Sequence, residues 1–108
     1  MDTSTLFSLE GRTALITGGS RGIGKMIAAG FIAQGAKVYI SSRKADVCGA
    51  VAKELGPNCI SLPQDVSTVS GCHMLADAYS QHEKSLDILV NNAGAAWGEP
   101  CLLYTSDA

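Results

Sequence analysis

The chain has 108 residues and a formal net charge of −2, and 46% of its residues are hydrophobic and 17% charged. This composition predicts a single folded domain, and it excludes a disordered chain and gives no sign of a nucleic-acid or membrane-surface partner. No apolar run is long enough to cross a membrane, and the N-terminus lacks the pattern of a signal or transit peptide, so we expect a cytoplasmic protein.

Short apolar runs alternate with amphipathic runs along the whole chain after a lead-in over residues 1–8. The apolar runs predict four strands: Thr13–Thr17, Lys37–Ser41, Cys59–Leu62 and Leu86–Asn91. The amphipathic runs predict three helices: Gly22–Gln34, Ala45–Leu55, and a third that follows a cap at Ser67 or Thr68 and continues through Tyr79. This alternation predicts an α/β fold with a doubly wound parallel sheet and right-handed crossovers.

The spacing of apolar residues predicts which face of each of the first two helices is buried. In the first helix the predicted inward residues are Ile23, Met26, Ile27, Gly30 and Phe31. In the second they are Val47, Ala50, Val51 and Leu55. The third helix continues through Cys72, Leu75, Ala76 and Tyr79.

The stretch from Thr17 to Gly24, with the sequence TGGSRGIG, joins the first strand to the first helix. A turn of this kind presents backbone N–H groups at a helix N-terminus, where the helix dipole favours an anion such as a phosphate. Gly18 allows a tight turn, Gly22 has no Cβ to block a pyrophosphate, and Gly24 allows the helix to pack closely on the strand. Ser20, Arg21 and Ile23 complete the candidate contacts of this turn. An ordinary strand-to-helix turn is the alternative interpretation.

A second motif, Asn91-Asn92-Ala93-Gly94, ends the fourth predicted strand. With the glycine turn, it resembles the short-chain dehydrogenase/reductase family, whose cofactor turn reads TGxxxGIG and whose fourth strand ends in NNAG. The resemblance extends from about Phe7 to Pro100 and implies a Rossmann-like fold that binds a nicotinamide dinucleotide. Within the family, the chain is similar to the 3-oxoacyl-(acyl-carrier-protein) reductase branch, particularly its rhamnolipid-type members.

The end of the second strand bears on the choice of cofactor. Folds that bind NAD usually carry an acid there, which accepts a hydrogen bond from the ribose 2′-hydroxyl. This chain has Arg43 in that region and no acid before Asp46. An arginine offers paired donors to a 2′-phosphate, so the sequence favours NADP(H) over NAD(H). Arg21 could add a second positive charge, and a solvated basic surface pair, Arg43 with Lys44, is the alternative.

The family resemblance assigns further contacts at the ends of strands three and four. It implies that Asp65 bonds the adenine amino group and that the backbone of Val66 bonds the ring. Asp65 could instead, or as well, cap the next helix. Asn92, Ala93 and Gly94 would approach the adenosine ribose, while Asn91 braces the strand.

The catalytic group of the family is a tyrosine followed four residues later by a lysine. No such pair exists here, because Arg43, Glu83 and Ala108 follow Tyr39, Tyr79 and Tyr104 at that spacing. We therefore predict no catalytic residue in this chain. We also predict no metal site, because the sequence has no C-x-x-C pair and no histidine cluster with zinc-like spacing. The family resemblance implies that the parent protein reduces a carbonyl to an alcohol and forms a homo-oligomer, usually a tetramer. We interpret the chain as a partial cofactor domain of four strands and three helices, with residues 101–108 a truncated or foreign tail. The alternatives are a non-catalytic dinucleotide-binding module and a product without function.

Overall fold

The computed structural model describes residues 8–20 and 22–92 as seven elements that alternate along the chain. The strands are β1 (Thr13–Thr17), β2 (Lys37–Ser41), β3 (Cys59–Ser61) and β4 (Ile88–Asn91). The helices are α1 (Gly22–Ala33), α2 (Ala45–Leu55) and α3 (Val69–Ser80). The predicted order of elements is confirmed, and only the ends of α1, β3 and β4 differ, by one or two residues.

The four strands form one parallel sheet in the order β3-β2-β1-β4. The chain builds outward from β1 to β3 and then returns past β2 and β1 to place β4 on the other side. Because crossovers between parallel strands are right-handed, reversing the direction of travel places the connecting helix on the opposite face of the sheet. The predicted doubly wound α/β architecture is therefore confirmed.

Two apolar cores lie on the two faces of this sheet. One face packs Ala14, Ile16, Val38 and Ile40 against α1 and α2, and the other packs Leu15 and Tyr39 against α3. Successive residues of β1 and β2 thus point to opposite cores, and nearly all of them are fully buried. This explains why β1 has no alternation of apolar and polar residues.

The ends of two helices follow the chemistry that the sequence predicts, in which Gly35 ends the first helix and Ser67 or Thr68 caps the third. Gly35 adopts a φ of 97° just after α1, and its N–H bonds the carbonyl of Ile32 at 2.9 Å, as in a left-handed helix terminus. At the start of α3, the Thr68 side chain accepts a hydrogen bond from the Gly71 N–H at 2.9 Å. Thr68, not Ser67, is therefore the cap.

The predicted inward faces of α1 and α2 are partly wrong. Ile23 and Met26 are 67% and 73% exposed, and Gly30 is exposed as well. The buried residues of α1 are Gly24 and Ala28, with Ile27 and Phe31 half-buried as predicted. Since Lys25 is the single charged residue of α1, hydrophobic spacing could not distinguish the face that meets the sheet.

In α2, Val47 and Ala50 are exposed, and Cys48, Val51 and Ala52 are buried. The small side chains of Cys48 and Ala52 allow this helix to lie close to the sheet. The Cys48 thiol donates a hydrogen bond to the carbonyl of Ile40 at 3.4 Å. In α3, Cys72, Leu75 and Tyr79 are buried, while Ala76 is half-buried. None of the helices in the described ranges is long and apolar enough to cross a membrane.

Candidate cofactor-binding site

The predicted site residues within the described ranges all lie at or just beyond the carboxyl ends of the strands. The strand order changes direction beside β1, since β2 pairs with one side of it and β4 with the other. In doubly wound sheets, this switch point opens a crevice in which ligands bind. Gly18 and Asn92 follow the two strands that flank the crevice, β1 and β4.

The glycine turn exposes backbone at the start of α1. Gly18 leaves β1 with a φ of 70°, and its N–H bonds the carbonyl of Ser41 at 2.7 Å. Gly22 has a φ of 59°, and a Cβ built there meets nothing within 4 Å. Ser20 is only 8% exposed, between these glycines. The first turn of α1 has no acidic residue, so no carboxylate competes for the positive end of the helix dipole.

Gly24 permits a close contact rather than an unusual backbone angle. A Cβ at this position would lie 2.1 Å from the carbonyl oxygen of Gly18 and 2.7 Å from Nδ2 of Asn92. Gly24 thus brings α1 directly against the turn, in agreement with the predicted close packing. Gly19, to which the sequence assigned no role, is equally constrained, because its Cβ would lie 2.6 Å from Ile40.

Thr17 joins the turn to the end of β4, and sequence reasoning missed this role. Its hydroxyl oxygen accepts from the N–H of Asn92 at 3.0 Å and lies 3.4 Å from both the Val90 carbonyl and Oδ1 of Asn91. Nδ2 of Asn92 is 3.5 Å from the Gly18 carbonyl oxygen. Thr17 is fully buried, and its hydroxyl is hydrogen-bonded, as buried polar groups usually are. The available signal in the sequence was a polar residue at the end of an apolar strand, directly before the glycine turn.

The ends of β2 and β3 are joined by backbone hydrogen bonds. The N–H of Gln64 bonds the Ser42 carbonyl at 2.9 Å, so the loops that carry Arg43 and Asp65 run side by side. The Ser67 hydroxyl and N–H donate to Oδ1 of Asp65 at 2.6 and 2.9 Å and lower the pKa of that carboxyl, and the nearby Arg43 charge lowers it further.

The predicted contacts with a cofactor have no structural test and stay predictions. Asp65 braces the loop before α3 through Ser67, whereas the cap itself is Thr68. The Val66 side chain is buried in the core beside α3, and the adenine contact of its backbone stays a prediction. Arg21, Ala93 and Gly94 lie outside the described residues, as do residues 101–108. Within residues 8–20 and 22–92, no three metal-ligating side chains cluster.

The two described tyrosines lie in the core beside α3 and take part in packing. The Tyr39 hydroxyl donates to the Glu83 carboxylate, and the Tyr79 hydroxyl donates to the carbonyl of Ser85. Burial raises the pKa of both phenols, which is the opposite of the lowered pKa that a tyrosine acid paired with lysine requires. These tyrosines are structural.

Comparison with known families supplies the decisive observation, because residues 12–108 match the family model for short chain dehydrogenase. The chain belongs to the short-chain dehydrogenase family. It is 50% identical over 94 residues to the rhamnolipids biosynthesis 3-oxoacyl-[acyl-carrier-protein] reductase of Pseudomonas aeruginosa. That alignment covers 85% of this chain and 37% of the relative, so the chain spans little more than a third of the relative's length.

Solved structures show the same fold. A Pseudomonas aeruginosa RhlG/NADP active-site complex superposes with a TM-score of 0.80 at 49% identity, covering 82% of this chain and 37% of that one. The 3-ketoacyl-(acyl-carrier-protein) reductase of Brucella melitensis, complexed with NADH, gives a TM-score of 0.72 at 35% identity, covering 76% of this chain and 34% of that one. Homologues with this fold are therefore oxidoreductases that have been solved with either dinucleotide.

Proposed function

We propose that this chain is the cofactor-binding part of an oxidoreductase and that it binds NADP(H) in preference to NAD(H). The observation that carries the proposal is the arrangement at the end of β2. Ser41, Ser42 and Arg43 follow one another there, so no carboxylate occupies the place where an NAD-binding sheet usually carries one. Arg43 is exposed and free to form charge-assisted hydrogen bonds with a 2′-phosphate.

The glycine turn fits the shared half of the two cofactors. Gly22 leaves open space above exposed backbone, and α1 begins without a carboxylate. Both features suit a pyrophosphate at the helix N-terminus. Gly18, Ser20, Ile23 and Gly24 would line this cradle, with Arg21 adding a positive charge. When bound, the cofactor supplies the hydride, and the residues of this chain hold and orient it.

The remaining contacts would hold the adenosine half. Asp65 and the backbone of Val66 would bond the adenine, and Asn92, Ala93 and Gly94 would lie against its ribose. The bond from Arg43 to the 2′-phosphate would then stand beside the Asp65 carboxylate. This neighbourhood sets the specificity, because the phosphate must outweigh Asp65 as a partner for the arginine.

The similarity to reductases supports a parent reaction in which a carbonyl is reduced to an alcohol. The relative named for 3-oxoacyl-[acyl-carrier-protein] reduction suggests a 3-oxoacyl thioester as substrate. The tyrosine and lysine of the chemistry would come from outside these 108 residues. The parent protein would act in the cytoplasm on a small molecule and assemble as a homo-oligomer, with four subunits expected.

The experiment is a fluorescence titration of the purified chain with NADPH and with NADH. We expect NADPH to bind more tightly, and Arg43→Ala to weaken NADPH binding about tenfold while leaving NADH binding nearly unchanged. Lys44→Ala is the matched control, since it removes the neighbouring exposed charge. Equal affinity for the two cofactors, or the same loss from both variants, would overturn the assignment of Arg43.

The second candidate is a dinucleotide-binding module that performs no chemistry. The placement of the tyrosines favours this candidate. Tyr39 and Tyr79 are buried, and their hydroxyls are engaged with Glu83 and Ser85, so neither is placed to act as an acid on a substrate. If the chain binds NADPH but does not oxidise it in the presence of any ketone, the result supports a non-catalytic binding module. Turnover of a ketone by this chain excludes it, and the absence of any binding supports a product without function.

A further inference from the structure

The register of β4 against β1 is not fixed by its apolar residues. Ile88 and Val90 pack on the core beside α1 and α2, and Leu89 packs on the core beside α3. All three are aliphatic and half-buried. A slip of one residue would keep aliphatic side chains on both faces and would bring one polar residue opposite β1, either Asp87 opposite Ala14 or Asn91 opposite Ile16, so burial specifies the register only in part. Among the described strands, β4 pairs only with β1, which leaves no second neighbour to hold it.

The amino end of β4 carries a specific contact with β1. Oδ2 of Asp87 accepts from the Thr13 N–H at 2.9 Å, and the Asp87 N–H bonds the Thr13 carbonyl at 3.2 Å. Side chain and backbone of one residue therefore both engage Thr13. Arg12 lies 3.6 Å from Oδ1 of Asp87, but its side chain is 62% exposed, so this ion pair adds little.

The same register continues from that contact to the other end of the strand. Ala14 pairs with Ile88, and three positions later Thr17 pairs with Asn91. Only in this register does the Asn92 N–H reach the Thr17 hydroxyl at 3.0 Å, with Nδ2 of Asn92 beside Gly18 and Gly24. Asp87 and Asn92 are separated by roughly 16 Å of extended chain.

We propose that Asp87 is a positioning residue, which fixes the register of β4 and thereby places Asn92 against the glycine turn from the opposite end of the strand. Its consequence for cofactor affinity rests on the proposed function, whereas its consequence for the register does not. A slip by one residue would remove the Asn92 side chain from Gly24 and turn Asn91 to the other face.

The test compares three substitutions of Asp87 in the full chain. Asp87→Ala removes the acceptor, Asp87→Asn keeps an oxygen for the Thr13 N–H but removes the charge, and Asp87→Glu moves the carboxylate one carbon further away. Arg12→Ala is the control for the ion pair. Thr68→Ala, which removes the α3 cap, is the control for lost stability at a site distant from β4.

The register is read by proton NMR from the contacts between Ile16 and Val90 and from the exchange rate of the Asn92 amide. We expect Asp87→Ala to lose those contacts, to exchange the Asn92 amide at least tenfold faster, and to weaken NADPH binding on the order of tenfold. Asp87→Asn and Arg12→Ala should resemble the unchanged chain, and Asp87→Glu should fall between.

The proposal is overturned if Asp87→Ala keeps the Ile16–Val90 contacts and exchanges the Asn92 amide no faster than Thr68→Ala does. If Asp87→Ala does not fold, the exchange rates of the Asn92 amide in Asp87→Asn and Asp87→Glu decide. The proposal is refuted if this amide exchanges as slowly in Asp87→Glu as in Asp87→Asn, or more slowly. Failure of the unchanged chain to bind NADPH would refute the proposed function and leave the register measurement intact.

Discussion

The two ends of the sheet are held by different means. At the amino end, side chains make the contacts: Lys37 and Tyr39 both bond Glu83, and Tyr79 bonds Thr13 at 3.1 Å. At the carboxyl end, glycines and backbone groups predominate. The side chain of Arg43 stays exposed there, and the hydroxyl of Ser41 is buried with no partner among the described residues.

This difference teaches how the fold separates stability from binding. Side chains that satisfy one another, as Tyr39 and Glu83 do, hold the ends of strands and helices together and leave nothing for a ligand. Exposed backbone and an exposed charge such as that of Arg43 cost the free chain little, and both are features that suit an anionic ligand. The comparison predicts that substitutions of Lys37, Tyr39 or Glu83 at the amino end change stability, whereas those at the carboxyl end change cofactor binding as well. Asp87 is the exception at the amino end, because we propose that its contact with Thr13 positions Asn92.

The largest expected effect is that of Gly24→Ala. The new Cβ would collide with the Gly18 carbonyl oxygen 2.1 Å away, so we expect unfolding to become easier by about 3 kcal/mol and NADPH binding to be lost. Gly30→Ala is the matched control, because its Cβ meets nothing within 4 Å, and it should stabilise α1 by about 0.5–1 kcal/mol. Urea denaturation measures both. Equal behaviour of the two variants would contradict the close contact at Gly24.

The second effect concerns the stability that Glu83 gives to the amino end of the sheet and its loss at low pH. Hydrogen bonds from Tyr39 and Lys37 hold the pKa of Glu83 below its ordinary value of 4.5. The unfolded chain therefore binds more protons between the two values, and the stability from this group, complete above about pH 4.5, is lost as the pH falls through the folded pKa. Glu83→Gln should flatten the acid limb of a Tm-against-pH curve.

Glu54→Gln serves as the control for that curve, since Glu54 pairs with Lys25 at 2.7 Å and its side chain is 60% exposed. We expect this variant to keep the acid limb of the unchanged chain. An acid limb that Glu83→Gln leaves unaltered would show that the amino end is not held by this carboxylate.

The smallest effect is expected at Ser41. Its buried hydroxyl has no partner among the described residues, so Ser41→Ala should be neutral or stabilise the chain by up to about 1 kcal/mol. Thr17→Val, which removes a neighbouring buried hydroxyl with partners, should destabilise it by about 1–3 kcal/mol. Calorimetry measures both. Clear destabilisation by Ser41→Ala would mean that its hydroxyl has a partner after all.

Much of the fold could be predicted because local signals agreed. The run at Thr13–Thr17, the glycines that follow it and the stop at Gly35 each specify a short segment through backbone preference. The predictions failed for Ile23, Met26, Val47 and Ala50, where the helices carry apolar residues on more than one face. All of the predicted cofactor contacts remain predictions, and three of them, Arg21, Ala93 and Gly94, lie outside the described residues.

By itself, the sequence determined the alternation of strands and helices, the glycine turn at the start of the first helix and the lack of an acid at the end of β2. These features depend on residues that are close together in the chain, and their spacing can be read directly from the sequence. Only the tertiary structure decided that Thr17 meets Asn92, 75 residues away, and that Tyr39 meets Glu83, 44 residues away. Such pairs depend on strand order and register, and these emerge only when the chain has packed, because many distant partners are compatible with the same local pattern.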